Sequence, residues 1–444
     1  MSLQPEPATA GREAPEQEVG SVFVANYPPF SAWSAEALPA ALQALGAPPL
    51  PGADLGLYLH IPFCRKRCKF CYFRVYTDKS FDDIGAYLDA LGREVELFAA
   101  QPAIGGRRPL FVYFGGGTPS YISVKQLAAL VARLQAAIPW AGAEEVTFEC
   151  EPGTLTRPKL EAIRGLGVTR LSLGVESFDD AVLRENGRAH VSTEIERCLP
   201  WIAELEFEQL NIDLIAGMVG QTEESWRATV RRTIAAAPDS VTVYQMELPY
   251  NTRYAHALQE GTLGRPLVDW PTKRAWHAWA FAELAAAGYE PSSAYTMVRR
   301  GKPCRFVYRD AVWHGCDLLG TGVASFSHLS GVHFQNVDGW GEYLAALGAG
   351  RLPLGRAYAT SPRERLTREL ILQLKLGRID PAYFAGKFGI DVLAEFAPAW
   401  RRLAADGMLR LGPAGPELTP AGFFQVDRLL PELYDERHRH ARYT

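Results

Sequence analysis

From residue 57 onward, short and mostly apolar runs alternate with longer segments whose apolar residues recur at helical spacing. The short runs contain few polar residues, which is typical of parallel strands covered on both faces. Strands are predicted at residues 57–61, 110–114, 145–150, 170–175, 210–214 and 241–247. Helices are predicted at residues 83–100, 123–138, 157–166, 179–186, 194–206 and 222–236. This succession predicts an α/β fold built on a partial, TIM-like (β/α)6 barrel, whose working residues lie at the C-terminal strand ends.

The regular alternation of strands and helices ends after residue 250. The sequence pattern divides the chain into four predicted parts. Residues 1–50 are predicted as a partly disordered N-terminal extension, because the first 20 residues are rich in Pro, Ala and Glu. Residues 51–250 form the barrel, and residues 251–360 flank it as a substrate region. Residues 361–444 contain helices followed by a strand, a turn and a second strand, which predicts a winged-helix-like domain. This domain lacks a basic recognition face, so a role in covering substrate is favoured over DNA binding.

The overall composition narrows the class of protein. Of 444 residues, 48% are hydrophobic and 22% are charged, as in ordinary folded proteins. The net charge is -4 and basic residues are scattered, so neither a nucleic acid nor a membrane is an expected partner. No run reaches the ~18 apolar residues needed to cross a bilayer. The seven cysteines fit a disulfide framework poorly and indicate a reducing cytoplasm.

Three cysteines follow the first predicted strand in the run Tyr58-Leu-His-Ile-Pro-Phe-Cys-Arg-Lys-Arg-Cys-Lys-Phe-Cys. The thiolates of Cys64, Cys68 and Cys71 can hold a cluster of four irons and leave one iron open to another ligand. A zinc site would need a fourth ligand, which His60 could supply. Cys68 and Cys71 also have the spacing of a redox pair. The spacing favours the cluster and leaves the other two interpretations open.

Glycine and polar residues mark the ends of the next strands. Residues 115–119 read Gly-Gly-Gly-Thr-Pro, a turn that lets a ligand approach backbone amides. Glu149, Glu176 and Asp213 lie at or just beyond the ends of three successive strands. A carboxylate in such a position is costly unless it is paired or binds a ligand. Arg188 is the obvious countercharge, or a clamp for a carboxylate ligand. The sequence therefore predicts a polar pocket.

Six motifs occur in order along the chain. They are the cysteine run, the Gly-Gly-Gly-Thr-Pro turn, Gly174-Val-Glu-Ser-Phe178, Gly187-Arg-Ala-His190, Asn211-Ile-Asp-Leu-Ile215 and Asp317-Leu-Leu-Gly-Thr-Gly322. This set resembles the radical S-adenosylmethionine (SAM) superfamily, in the branch of the oxygen-independent coproporphyrinogen III oxidases and the related haem chaperones. The resemblance extends from about residue 56 to about residue 435 and includes the C-terminal domain.

The resemblance implies a cofactor set and a group of residues that bind it. Cys64, Cys68 and Cys71 would hold a 4Fe-4S cluster, whose electron cleaves SAM to a 5′-deoxyadenosyl radical. These cysteines and Glu176 form the implied catalytic set. The implied contacts to one SAM molecule, or to a second one, are Tyr58, Phe70, Gly116, Gly117, Thr118, Glu149, Glu176, Arg188, Asp213, Met246 and Phe326.

Two departures from the family pattern bear on the reaction. The family oxidases carry a further cysteine two residues beyond the triad, where this chain has Tyr72 and Phe73. They also have glutamine where this chain has Glu176. Transfer of a methyl or methylene group from a second SAM to an unsaturated or aromatic ring is slightly favoured, because the contacts implied for a second SAM are retained while the further cysteine is missing. The alternatives are oxidative decarboxylation of coproporphyrinogen III to protoporphyrinogen IX, and a haem chaperone.

The resemblance also implies the partners of the chain. We expect a small-molecule substrate such as a tetrapyrrole or another ring system. A reductant such as flavodoxin or ferredoxin would supply the electron. The chain is expected to act as a monomer in the cytoplasm.

Overall fold

The computed structural model describes residues 26–265, 267–439 and 441. The predicted disorder of the first 20 residues lies outside this part of the chain. Residues 26–50 of the predicted extension pack onto the rest of the protein, since Ser34 forms a backbone bridge with Ala357. The ring of Trp33 stacks on His333, with 5.2 Å between ring centroids. This part of the extension therefore belongs to the folded protein.

The strands are numbered in chain order. Their bounds are β1 Leu55–Ile61, β2 Phe111–Gly116, β3 Glu145–Cys150, β4 Arg170–Glu176, β5 Gln209–Ala216, β6 Ser240–Gln245, β7 Tyr289–Pro291, β8 Thr296–Arg299, β9 Asp317–Thr321, β10 Phe326–Leu329, β11 Val332–Asn336, β12 Leu354–Ala359, β13 Leu409–Gly412 and β14 Gly415–Leu418.

The helices are numbered in the same way. They are α1 Leu38–Gly46, α2 Phe81–Ala99, α3 Val124–Ala137, α4 Arg157–Gly165, α5 Asp180–Glu185, α6 Ser192–Glu204, α7 Glu223–Ala236, α8 Arg253–Gln259, α9 Trp270–Ala286, α10 Val307–Trp313, α11 Trp340–Gly348, α12 Pro362–Leu374, α13 Pro381–Phe388, α14 Val392–Glu395, α15 Ala397–Ala405, α16 Pro420–Phe423, α17 Val426–Leu429 and α18 Glu436–Arg439.

Strands β1 to β12 form one sheet, in the order β12-β11-β10-β9-β1-β2-β3-β4-β5-β6-β8-β7. Strands β1 to β6 are parallel neighbours in chain order, and helices connect them. This confirms the predicted α/β fold with its partial (β/α)6 barrel. Because all six strands run the same way, their C-terminal ends meet at one edge of the barrel, as the sequence predicts.

Residues 251–360 extend this sheet rather than only flanking it. Strand β9 pairs in parallel with β1, and β10 to β12 continue beyond it as antiparallel strands. At the other edge β8 and β7 follow β6 in antiparallel pairing. The Asp317-to-Gly322 motif thus lies beside the strand that leads into the cysteines. A Cβ atom on Gly322 would lie 2.8 Å from the His60 carbonyl oxygen, so only glycine allows this close approach.

The C-terminal residues form a second hydrophobic core, distinct from the core beneath the sheet. Helix α12 begins with a capping box, in which the Ser361 hydroxyl accepts from the Glu364 amide and Glu364 accepts from the Ser361 amide. The helices are followed by the β13–β14 hairpin, in the predicted order. The division into four parts stays a prediction. Along the described residues, no helix combines the length and apolar character needed to cross a bilayer.

Glu94 joins helix α2 to the β9–β11 edge of the sheet. Its side chain is fully buried, and its two oxygens accept hydrogen bonds from the Gly322 amide at 2.8 Å, the Tyr343 hydroxyl at 2.5 Å and the Asn336 amide at 2.5 Å. Replacing Glu94 with alanine would leave these buried donors without an acceptor, at roughly 1–3 kcal/mol for each one. We expect the free energy of unfolding, measured by urea denaturation, to fall by about 3 kcal/mol or more.

The matched control for this prediction is Glu94→Gln, which keeps one acceptor oxygen and nearly the same volume. Its loss of unfolding free energy should be about half that of Glu94→Ala. Equal losses for the two variants would contradict this prediction, because glutamine keeps the volume and one acceptor oxygen and alanine keeps neither.

Candidate active site

The C-terminal ends of the barrel strands open into a cavity of about 580 Å³. This volume lies within the range of pockets that bind small molecules. Most of the predicted site residues line it, namely Cys64, Phe70, Cys68, Cys71, Gly116, Gly117, Thr118, Glu149, Glu176, Arg188, Asp213 and Met246. The structure therefore brings together residues that lie up to 182 positions apart in the chain (246 − 64).

Two predicted contacts lie elsewhere. Tyr58 lies on β1 behind the cavity wall, where its ring stacks on Tyr113 with 5.8 Å between centroids. Phe326 begins β10 and stacks on Phe30 at 4.2 Å between centroids, outside the lining of the cavity. In this structure Phe326 is thus covered by the N-terminal extension, which the motif pattern could not indicate.

The loop after β1 presents the three cysteines to the cavity. Backbone hydrogen bonds tie it down, since the Cys64 amide donates to the Tyr76 carbonyl and the Tyr76 amide donates to the Pro62 carbonyl. None of the three cysteines forms a disulfide. Burial raises the pKa of the Cys64 thiol to about 11 and that of Cys71 to about 12. Reactive redox cysteines have lowered pKa values, so the raised pKa of Cys71 does not fit a redox pair of Cys68 and Cys71.

Two polar side chains contact the cysteine sulfurs. The Thr118 hydroxyl, from the Gly-Gly-Gly-Thr-Pro turn, donates to Cys64 Sγ at 3.4 Å. Arg188 Nη1 donates to Cys68 Sγ at 3.4 Å. Hydrogen bonds of this kind stabilise thiolates, and around iron–sulfur clusters they tune the reduction potential.

Glu149 lies at the end of β3 and is held by its neighbours on β2. One of its carboxylate oxygens accepts from the Tyr113 hydroxyl at 2.8 Å, and the other accepts from the Gly116 amide at 3.1 Å. Gly116 has a φ of +110°, a conformation that favours glycine. The hydrogen bond therefore holds both the glycine turn and the Glu149 carboxylate in position.

Asp213 on β5 is held in the same way. It accepts a hydrogen bond from the Ser172 hydroxyl at 2.7 Å and one from the Asn211 side-chain amide at 2.9 Å. Neither partner was predicted as a site residue. Ser172 lines the cavity beside the predicted carboxylates, and Asn211 precedes Asp213 by two residues on β5, so it lies on the same strand face as Asp213.

Glu176 ends β4 with a φ of +65°, which is uncommon for a residue with a side chain. Its carboxylate lies 3.5 Å from Arg188 Nη2. That same nitrogen donates to the Gly174 carbonyl at 2.6 Å. Strained backbone of this sort persists where the surroundings hold it, and it is concentrated at functional sites.

The three carboxylates share one electrostatic environment. Burial raises the pKa of Glu149 and of Glu176 to about 7, and that of Asp213 to about 6. The mutual repulsion of the carboxylates adds to the shift for Glu149 and Glu176. A cation bound among them would favour their charged forms and relieve this cost.

The charged groups of the cavity fit SAM beside a cluster. The Nε of Arg188 is buried and has no hydrogen-bond partner in the described part of the chain, so it can donate to a ligand carboxylate. A Cβ on Gly117 would lie 2.9 Å from backbone atoms of Ile61 and Phe63, so this turn must be glycine to pack against the end of β1. SAM carries a carboxylate for the arginine and a sulfonium cation for the carboxylates.

The wall opposite the cysteines was not predicted from the sequence. It is formed by the end of β6, by helix α9 and by residues of the C-terminal domain. Its members include Tyr244, Gln245, Trp270, Arg274, His277, Tyr295, Phe424, Asp427 and Arg428. Gln245 joins the two units, because its Nε2 donates to the Phe424 carbonyl at 2.9 Å. Residues of the C-terminal domain therefore form part of the cavity wall.

Comparisons with known proteins agree with this site. Residues 58–233 match the family model of the radical SAM superfamily, and residues 360–424 match that of the HemN C-terminal domain. The fold and the site thus define a radical SAM protein with a HemN-type C-terminal domain.

Its relatives specify the branch. The chain is 29% identical to the oxygen-independent coproporphyrinogen III oxidase of Pseudomonas aeruginosa, over 87% of this chain and 88% of the relative. It is 30% identical to the haem chaperone HemW of Synechocystis, over 72% and 77%. The Escherichia coli HemN structure superposes with a TM-score of 0.80 and 26% identity, over 93% of this chain and 96% of that one. The chain belongs to the coproporphyrinogen III oxidase-like family of radical SAM proteins.

Membership of this family decides between the interpretations of the three cysteines. Radical SAM proteins bind a 4Fe-4S cluster and SAM, and this confirms the cofactors expected from the resemblance. The zinc and redox-pair interpretations are therefore set aside.

Proposed function

We propose that the chain oxidises a carboxylated tetrapyrrole, converting coproporphyrinogen III to protoporphyrinogen IX without oxygen. In this reaction two propionate side chains become vinyl groups. Each side chain loses one hydrogen atom, releases CO2 and passes one electron to an acceptor. When bound, the 4Fe-4S cluster supplies the electron that cleaves SAM, and the resulting 5′-deoxyadenosyl radical takes the hydrogen atom.

The observation that carries this proposal is the single cavity that reaches from the cysteine loop to the C-terminal domain. The relatives named oxidases align over both the barrel and most of the remaining chain, at 87% of this chain for the Pseudomonas protein. The alignment therefore includes both the barrel residues that would bind SAM and the C-terminal residues that would contact a substrate.

The residues of the barrel have distinct roles in this proposal. Cys64, Cys68 and Cys71 hold the cluster, and Arg188 binds the SAM carboxylate through its unpartnered Nε. Glu149, Glu176 and Asp213 face the cationic part of SAM, or of a second SAM molecule. Phe70, Gly116, Gly117 and Met246 shape the cavity wall around the ligand.

Methyl or methylene transfer from a second SAM is the second candidate. Tyr72 and Phe73, which replace the further cysteine of the family oxidases, stack with 4.5 Å between centroids and line the cavity. An aromatic pair in this place could hold an unsaturated or aromatic ring by stacking. The relatives named above are oxidases and haem chaperones, and they give methyl transfer no support.

Product analysis tests the proposal. The reconstituted protein would be incubated without oxygen with dithionite, SAM and coproporphyrinogen III, and the products separated by liquid chromatography with mass detection. We expect coproporphyrinogen III to lose two carboxyl groups while 5′-deoxyadenosine accumulates. Omitting SAM should stop both changes.

Each other outcome points to a different function. S-adenosylhomocysteine formed beside 5′-deoxyadenosine, with no loss of carboxyl groups, would support methyl or methylene transfer. Stable haem binding without cleavage of SAM would support a haem chaperone, as the HemW relatives are named. Either result would contradict decarboxylation as the activity.

Reductive cleavage of SAM requires an electron donor. A reductant such as flavodoxin or ferredoxin is proposed to supply electrons to the cluster. The chain is proposed to act as a monomer in the reducing cytoplasm, where iron–sulfur clusters and free thiols persist.

A further inference from the structure

Two arginines from different parts of the chain line the same cavity as the cysteine loop. Arg274 lies on helix α9 beside the barrel, and Arg428 lies on the short helix α17 of the C-terminal domain. Arg274 is half-buried, and Arg428 is exposed at the rim. The two guanidinium groups are close enough that the charge of Arg428, after burial, lowers the pKa of Arg274.

Neither guanidinium has a carboxylate partner among the described residues. The Nε of Arg274 is buried and has no hydrogen-bond partner there, and the guanidinium lies 5.8 Å from the centre of the Trp270 ring. Arg428 makes one long hydrogen bond, from Nη1 to the Gln425 side-chain oxygen at 3.4 Å. The neighbouring Asp427 is already paired with Lys375, at 2.7 Å. A half-buried arginine beside a second cation is unfavourable unless an anion joins them.

A third donor lies on the same helix as Arg274. His277 is 1% exposed, and its Nδ1 lies 3.0 Å from the Nε2 of Gln245, which also donates to the Phe424 carbonyl. Since Nε2 of glutamine can only donate, Nδ1 of His277 must accept. The proton of the neutral imidazole therefore lies on Nε2, which is buried without a partner. Arg274 and His277 are three residues apart on the helix, so their side chains lie on one face.

We propose that Arg274, Arg428 and His277 form a subsite that binds a carboxylate of the substrate. An arginine fork suits a carboxylate in geometry and charge, and a neutral N–H donor can complete its hydrogen bonding. The buried carboxylates Glu149, Glu176 and Asp213 repel the same group, which favours its placement at the arginines. The subsite joins helix α9 and the C-terminal domain, so substrate binding holds the two together.

This inference rests on the proposed function for the identity of the substrate, but its test does not need turnover. The probes are coproporphyrin III, which is stable and carries four propionates, and its tetramethyl ester, which has the same ring without the charges. Binding of each to the reconstituted protein would be titrated by porphyrin fluorescence in the absence of reductant. Comparing the two ligands on the unaltered protein requires no variant to fold.

We expect the free acid to bind about tenfold more tightly than the ester, or more. Arg274→Gln and Arg428→Gln should each weaken binding of the acid by about tenfold and change binding of the ester little. Arg274→Lys, which keeps the charge without the fork, should recover part of the loss. Arg401→Gln removes an exposed arginine of α15 outside the cavity and should bind both probes like the unaltered protein.

Equal affinity for acid and ester, or arginine variants that bind the acid as well as the unaltered protein does, would overturn the subsite. Failure of the unaltered protein to bind coproporphyrin III would overturn it as well. If the arginines bind the acid but no carboxyl group is lost on turnover, the subsite stands and the proposed decarboxylation fails. If the unaltered protein decarboxylates coproporphyrinogen III and both arginine variants do so with the same rate and KM, the proposed decarboxylation stands and the subsite fails.

Discussion

Replacing Cys68 with alanine is expected to remove the 4Fe-4S cluster and to abolish cleavage of SAM. The motif provides three thiolates for a cluster of four irons, so each thiolate holds one iron and none can be spared. Two remaining thiolates cannot hold the cluster. The variant should therefore purify without brown colour, and chemical analysis should find almost no iron or sulfide after reconstitution. Incubation with dithionite and SAM should yield no 5′-deoxyadenosine.

The matched control is Cys198→Ala. Cys198 is fully buried on α6, away from the cavity, and its thiol donates weakly to the Ile195 carbonyl. We expect this variant to keep its colour, its iron content and its rate of SAM cleavage. A Cys68→Ala protein that kept both cluster and cleavage would refute the assignment of the cluster to this loop.

The local order of elements could be predicted from the sequence, but the order of strands in the sheet could not be fully predicted. Strands β1 to β6 are long, apolar and separated by helices with clear caps such as Ser80 and Ser123. Strand β9 pairs with β1 across more than 250 residues, and no local pattern reports such a pairing. Strands β7 to β11 have three to five residues each, too few for their periodicity to identify them.

The acidic residues of the site could be predicted from the sequence, because a charge within an apolar strand is unusual. Their hydrogen-bond partners were missed although the signal was present. Tyr113, Ser172 and Asn211 lie on the strand face that points into the barrel, at even spacing from predicted glycines or carboxylates. These strands are mostly apolar on both faces, which makes the alternation of polar residues weak.

The far wall of the cavity could not have been predicted in this way. Arg274 and Arg428 are 154 positions apart (428 − 274), on elements whose contact depends on how the C-terminal domain docks. Ordinary surface helices also carry such arginines. What distinguishes these two is the cavity between them and the missing partner of Arg274 Nε, both of which are tertiary properties.

Replacing Arg188 with glutamine is expected to weaken SAM binding by about 100-fold or more. Arg188 is almost wholly buried; it pairs with Glu176 at 3.5 Å and donates to the Gly174 carbonyl and to Cys68 Sγ. The ligand carboxylate would lose its cationic partner. Truncating one partner of a buried, hydrogen-bonded charge pair between binding partners costs about 2–5 kcal/mol of binding free energy. Affinity would be measured anaerobically by calorimetry on the cluster-loaded protein.

Two further variants separate the ligand's contribution from that of the fold. Arg188→Lys keeps the charge but loses the planar fork, so its loss of affinity should be smaller, about tenfold. Arg184→Gln removes an exposed arginine of α5 that pairs with Asp180, and it should leave SAM affinity unchanged. Iron content must be measured for each variant, since Arg188 contacts Cys68. Arg188→Gln protein with full cluster and SAM affinity within about threefold of the unaltered protein would contradict the arginine's role, since a lost charged contact has a larger effect.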